Sequence, residues 1–290
     1  MESELESHFI DPEIPLSVQV GFFYEDASNA HPTKVDVVLE FPFEKLKHNW
    51  TNREMKGNIG VLGMAYAADG TVATRFSDAA IVRGDLYWGS ESHAIENVPS
   101  RYETQLDLPP GNYELRFAIS DGSKFGRAVV PIRIDEPDSK LALSSVFLFK
   151  RYRNAAVMSQ EAAKINLAPA YIPIVSQEIA ITPTADPTFS ANGTLPAYFQ
   201  IYDPMLGQNS KQTTVEVNAR IIDVKSGKVQ RKFLPFDAAP FRRAGTNIFA
   251  VHKFLELGDI APGEYLLEVQ AKDSAGNATE WRAAPFTVRE

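Results

Sequence analysis

The sequence predicts an all-β chain built as two tandem antiparallel β-sandwiches, and three observations carry that prediction. Apolar residues recur at every second position in most extended segments, the period of a half-buried strand. Glycine- and proline-bearing turn signals separate those segments by short spacings, which favours antiparallel pairing. One phrase also occurs twice, as PPGNYELRFAISD at 109–121 and as APGEYLLEVQAKD at 261–273. The copies share Pro110/Pro262, Gly111/Gly263, Tyr113/Tyr265, Leu115/Leu267 and Asp121/Asp273.

In chain order, the first strands are LSVQVGFFY (16–24), KVDVVLEF (34–41) and NIGVLGMAY (58–66). The turn Ala68-Asp69-Gly70 then reverses the chain into TVATRF. YELRFAI (113–119) and AVVPIRI (128–134) complete a first set around Asp121-Gly122. The same grammar returns in AYFQIYD (197–203), TVEVNARIID (214–223), YLLEVQAKD (265–273) and PFTV (285–288). VLGMAYAADGTVATRF (61–76) parallels VNARIIDVKSGKVQRKF (217–233) as strand, glycine turn, strand, so the repeat extends beyond the doubled phrase. LALSSVFLF (141–149) reads as one further strand, and 150–177, which opens Lys150-Arg151-Tyr152-Arg153, lacks alternation. QEAAKI (160–165) reads as one helical turn, and SELESHF (3–9) puts Leu5, His8 and Phe9 on one helical face before Pro12. The predicted organisation is an N-terminal helical remnant over 1–13, a first sandwich over 14–137, a linker with one strand over 138–177, and a second sandwich over 178–290.

A tyrosine one residue past a Pro-Gly turn, opening a strand late in an all-β domain, points to a tyrosine corner. There the ring packs inward and the hydroxyl bonds a nearby backbone group, a device of immunoglobulin-like and fibronectin type III-like sandwiches. Tyr113 and Tyr265, with Gly111 and Gly263 two residues earlier, are therefore structural candidates.

Composition bounds the function. The chain has 290 residues, 44% hydrophobic and 23% charged, the profile of an ordinary folded protein long enough for two cores. Asp plus Glu total 37 against 29 Lys plus Arg, and the resulting charge of −8 repels nucleic-acid backbones and anionic lipid. With no cysteine there is no disulfide, zinc–thiolate site or cysteine nucleophile. The sequence has no apolar run long enough to span a membrane, and MESELESHF is acidic where a signal peptide is basic.

No chemistry-bearing motif stands out. His8, His31, His48, His93 and His252 are isolated, with no HExxH or HxH pair. The sequence has no Gly-x-Ser-x-Gly elbow, Gly-x-Gly-x-x-Gly or phosphate loop. Asp69, Asp121 and Asp273 lie at turns, where aspartate bonds its own backbone, rather than converging on a cation. Arg83-Gly84-Asp85 spells an adhesion tripeptide, but a three-residue match arises readily by chance, and this one reads as a strand end. Three aromatic residues are candidate ligand contacts: Trp50, in the polar setting KHNWTN, and the pair Tyr87-Trp88, which reads either as a stacking platform or as core. Trp281 reads as hairpin packing.

Taken together, IPLSVQVGFFYED (14–26), VLGMAYAADGTVATRFSD (61–78), QLDLPPGNYELRFAISD (105–121), LALSSVFL (141–148) and YFQIYDP (198–204) resemble the C-terminal β-rich region of bacterial VWFA-related domain proteins. The resemblance covers nearly all of 3–290 through strand and turn patterns. It implies an extracytoplasmic (periplasmic, cell-surface or secreted), non-catalytic module that binds a protein or builds a surface assembly. A carbohydrate-binding module is the alternative. The implied partner is another protein, an upstream von Willebrand factor A domain of the same polypeptide, or a glycan, with no nucleic acid, membrane span or cofactor. The family's metal-ion adhesion motif, Asp-x-Ser-x-Ser, does not transfer, since the nearest approach is Asp26-Ala27-Ser28 followed by Asn29-Ala30. The resemblance further implies that Met1 follows a signal peptide and an A domain.

Overall fold

The computed structural model describes residues 11–24, 33–51, 54–84, 99–156, 174–203 and 214–290, with the backbone alone at 48–51, 54–55 and 83–84. Among the described residues, twenty strands run in chain order. They are β1 (Ser17–Phe23), β2 (Thr33–Phe41), β3 (His48–Thr51), β4 (Glu54–Ala67), β5 (Val72–Gly84), β6 (Ser100–Leu108), β7 (Gly111–Ser120) and β8 (Phe125–Ile134). Then come β9 (Ala142–Leu143), β10 (Phe147–Asn154), β11 (Ile174–Ser176), β12 (Ile179–Pro183), β13 (Thr188–Ser190) and β14 (Thr194–Tyr202). The last six are β15 (Val215–Asp223), β16 (Val229–Lys232), β17 (Phe236–Asp237), β18 (Ile248–Glu256), β19 (Gly263–Asp273) and β20 (Arg282–Arg289). The fold class is all-β with antiparallel sheets; among the described pairs only β13–β20 is parallel.

The chain divides into two compact units: residues 1–20 with 36–135, and residues 21–35 with 136–290. The division therefore falls inside β1 and inside β2, not in a single linker. This corrects the sequence-based boundaries. The predicted linker 138–177 contributes β9, β10 and β11, which pair with β14 and β12 inside the second unit. The sequence predicts only one strand there, over 141–149; Phe147, Leu148 and Phe149 are all fully buried, so both faces of that strand are apolar and no period of two marks it as the start of the second unit. The basic start of the supposed irregular region, Lys150 to Arg153, is the second half of β10. Residues 13 and 14 belong to the first unit, where both N–H groups donate to the Phe125 carbonyl at 3.0 Å. The helical readings at 3–9 and 160–165 lie outside the described residues.

In the first unit one sheet has the order β1-β2-β6 and the other β3-β4-β7-β8, with β5 also on β4. Tyr113, Leu115, Phe117 and Ile119 alternate inward along β7, whereas β2 is buried on both faces from Val35 to Phe41. Tyr102 of β6 stacks on Phe76 of β5 with ring centroids 6.4 Å apart, and its hydroxyl donates to Asp78 at 2.8 Å. Asp36 is a buried acid on β2, with the Gln105 amide beside its carboxylate but no hydrogen bond of good geometry to either oxygen.

The second unit joins β11-β12-β10-β14-β18, with β9 on β14, to β13-β20-β19-β15-β16, with β17 on β15. Its main core gathers Leu148, Leu195, Phe199, Val217, Ile221, Val251, Leu267 and Phe286. The other face of β14 is also covered. Phe147, Phe149, Tyr198 and Ala250 pack there with Phe23, Ile174 and Ile181.

The doubled phrase occupies one position in both units. Tyr113 of β7 pairs with Ala67 on β4 and Ile132 on β8; Tyr265 of β19 pairs with Asp223 on β15 and Phe286 on β20. Each copy is the strand between a glycine-turned hairpin and the last strand of its unit.

Candidate functional site

Each unit has a tyrosine corner at the start of its repeated strand. Tyr113 Oη donates to the Pro109 carbonyl at 3.0 Å, and Tyr265 Oη donates to the Ala261 carbonyl at 2.7 Å. Burial raises the pKa of both phenols, with Asp223 adding to the effect at Tyr265. The preceding glycines make room for the rings. A Cβ on Gly111 would sit 3.1 Å from the Tyr113 hydroxyl, and one on Gly263 would sit 3.3 Å from that of Tyr265.

The turn aspartates are bound by their own loops. Asp69 accepts from Thr71; Asp121 accepts from Ser123, Lys124 and the Lys47 N–H; Asp223 accepts from Ser226; Asp273 accepts from Asn277. Those bonds hold the carboxyls of Asp69, Asp121 and Asp223 below their usual range. Among the described residues no group of three or more His, Asp or Glu side chains is arranged to hold a metal ion.

A shallow cleft beside the first corner is lined by Tyr66, Gly70, Asn112, Tyr113, Glu114 and Arg116. Its aromatic face is already taken. The Arg116 guanidinium lies 4.4 Å over the Tyr66 ring and pairs with Glu114 at 2.7 Å. Arg220 does the same in the second unit, 4.1 Å over Trp281 and paired with Glu268, which gives Trp281 a packing role.

Of the sequence candidates for ligand contact, Trp50 lies on β3 with its backbone opposite Met55, and its side chain is outside the described residues. Tyr87 and Trp88 are outside them altogether. Arg83 and Gly84 end β5, and Asp85 lies beyond the described span.

The aromatic surface that the structure does display is elsewhere. On the second unit, Tyr152 of β10 is 53% exposed and Phe254 of β18 is 37% exposed, and their rings meet edge to face at 5.4 Å. Phe149 lies beneath, 5.7 Å from Phe254 and 6.3 Å from Tyr152. His252 extends the row at 6.0 Å from Phe254, and Phe241, from the 3-10 turn Ala239–Phe241, closes it at 5.2 Å from His252. Cross-strand register builds this strip: Pro196 faces Phe254 and Tyr198 faces His252, so alternate residues of β18 stand on the side of the sheet away from the main core. Arg151 and Arg153 flank Tyr152 and are exposed.

His252 is held from below by β11. Ser176, fully buried, lies with Oγ 2.5 Å from the Ala250 carbonyl and 2.7 Å from His252 Nδ1. Burial, then the neighbouring Lys253, lowers the pKa of the imidazole. A serine beside a histidine suggests nucleophilic chemistry, but a sealed hydroxyl already bonded to a carbonyl cannot reach a substrate.

Sequence reasoning passed over this strip. The available signals were an aromatic residue within a basic run at 150–153 and two ring residues two positions apart in VHKFLE.

No protein-family model and no curated protein matches the chain. Among solved structures, it is similar to the fibronectin(III)-like modules of Clostridium thermocellum CbhA. That similarity has 13% identity, covers 93% of this chain and 94% of that one, and has a TM-score of 0.23. The all-β class rests independently of that overlap on the antiparallel pairing of the strands and on the sheets assembled in each unit.

Proposed function

We propose that the chain is a non-catalytic, two-unit β module of an extracytoplasmic protein, and that it binds another protein through the aromatic strip of its second unit. The observation that carries the reading is the joint exposure of Tyr152 and Phe254 in mutual contact, over a buried Phe149 that fixes them. Rings of this kind supply large, rigid contact area at small entropic cost, which is why they anchor protein interfaces. The ring planes favour a protein over a glycan. Phe254 stands at 67° to Tyr152, 76° to Phe149 and 77° to His252, which makes a corrugated surface suited to side chains rather than a row of coplanar platforms for sugar rings.

The assembly role and the extracytoplasmic setting belong to the same proposal and follow the resemblance to VWFA-related proteins. No described helix is long and apolar enough to cross a membrane. The test pairs an affinity capture from envelope extract with a glycan array, each run with the wild type and with Tyr152→Ser/Phe254→Ser. Capture of a defined protein by the wild type alone, with no glycan retained, supports the proposal. Retention of a specific glycan that the double variant loses replaces it with a carbohydrate-binding module.

A further inference from the structure

The hydrogen bonds under the strip fix the proton on His252. Ser176 Oγ carries one hydrogen and sits within 2.5 Å of the Ala250 carbonyl, which can only accept. It also sits 2.7 Å from His252 Nδ1. Both contacts are satisfied in one way: Ser176 donates to Ala250, and Nδ1–H of His252 donates to Ser176. The neutral ring then has its lone pair on Nε2. No described residue bonds that atom, and it is not among the sealed polar atoms lacking a partner. The centre of an apolar row therefore presents a lone acceptor to solvent, oriented by a buried hydroxyl and wedged between Phe241 and Phe254.

We propose that His252 Nε2 accepts a hydrogen bond from a donor-bearing aromatic side chain, tyrosine or tryptophan, of the protein that docks on the strip. The partner's ring nests among Tyr152, Phe254 and Phe241, and its O–H or N–H reaches Nε2. This rests on the protein-binding reading above. Edge-to-face clusters accept a further ring at the same geometry, and a phenylalanine would leave the acceptor desolvated and unmatched. Protonation of Nε2 turns the acceptor into a donor, which a tyrosine hydroxyl can still accept but an indole N–H cannot, so acid abolishes recognition of tryptophan alone. Several groups bear on that titration: Lys253 next along β18, Arg242 beside the 3-10 turn, Arg243, which donates to the Val175 carbonyl at 3.2 Å, and Tyr198, opposite in register. Burial and then Lys253 oppose the positive charge that protonation would place on the ring, which favours the acceptor form at neutrality.

The test uses the full chain and two probes, N-acetyl-tyrosinamide and N-acetyl-phenylalaninamide, followed by NMR at the imidazole and the strip rings. Long-range nitrogen–proton correlations at pH 8 are expected to show the Nδ1–H tautomer of His252. The tyrosine probe is expected to bind about fivefold more tightly than the phenylalanine probe, the worth of one neutral hydrogen bond. That preference should vanish in His252→Phe and shrink in Ser176→Ala, while the phenylalanine probe stays unchanged. An Nε2–H tautomer, or equal binding of the two probes at pH 8, overturns the inference and leaves the strip as a binding face. An Nδ1–H tautomer with neither probe on the strip overturns the inference through the protein-binding reading itself.

Discussion

The backbone N–H of Tyr24 donates to the hydroxyl of Tyr202 at 3.0 Å, joining residues 178 positions apart. That hydroxyl in turn donates to Gln200 Oε1 at 2.6 Å, and Gln200 Nε2 donates to the Tyr198 hydroxyl at 2.6 Å. The three side chains form a buried polar file along the covered outer face of β14.

Tyr202→Phe should therefore cost more than one ordinary hydrogen bond. It strands the Tyr24 N–H and removes the donor to Gln200, two losses in a sealed site, worth about 2–4 kcal/mol together. Urea unfolding of the second unit reads it. A change below about 0.5 kcal/mol would show that water replaces the hydroxyl.

The corner tyrosines should respond more mildly and separately. Tyr113→Phe and Tyr265→Phe each remove a bond to a carbonyl at the edge of its unit, at about 1 kcal/mol. Each loss should appear in the unfolding of its own unit, and a neutral result in both would leave the repeat a matter of strand pattern only.

Asp36 sets a pH dependence of unusual sign. Burial, reinforced by the charge of Glu103 and partly offset by the Gln105 amide, raises its pKa from 3.8 to about 7. Between those values the folded chain holds a proton that the unfolded chain has released. Stability from this group is thus full below about pH 4 and lost as pH climbs to about 7. Asp36→Asn should abolish that slope and stabilise the first unit at pH 8 by about 4 kcal/mol. Thermal unfolding across pH 4–8 tests it, and a wild-type profile parallel to the variant's would refute it.

Gly126→Ala should damage the first unit. A Cβ there would lie 2.4 Å from the Ile14 carbonyl oxygen, a backbone atom fixed by the bond from Ile14 N–H to Phe125. The expected loss is about 2–3 kcal/mol, typical of forced overpacking. Faster hydrogen exchange at the amides of Glu13 and Ile14 should accompany it.

Much of the strand framework was legible because half-buried strands write their period into the sequence. NIGVLGMAY and YELRFAI lie within strands and TVEVNARIID overlaps β15 in all but its first residue, and the doubled phrase marks one position in both units. What alternation hides is a strand covered on both faces. Phe147-Leu148-Phe149 gives no period of two, so the start of the second unit was read too late in the chain. The aromatic strip was illegible for another reason. Tyr152, His252 and Phe254 become neighbours only through the joint pairing of β10 and β18 with β14, a long-range register that no local pattern encodes.

The passage of the chain through the second unit at residues 21–35 also limits modularity. Two copies of one phrase suggest beads that could be cut apart and reshuffled, but this pair is stitched. Phe23 stacks on Phe147 at 5.0 Å, and Gly21 lies so close to the Phe147 ring that any side chain there would strike it. A fragment beginning at Glu136 would keep all of its later strands and still lack a piece of its own interior. Cutting the gene at the apparent seam would thus yield an incomplete second half with an open aromatic socket, prone to self-association, whereas restoring residues 21–35 as a separate peptide should heal it.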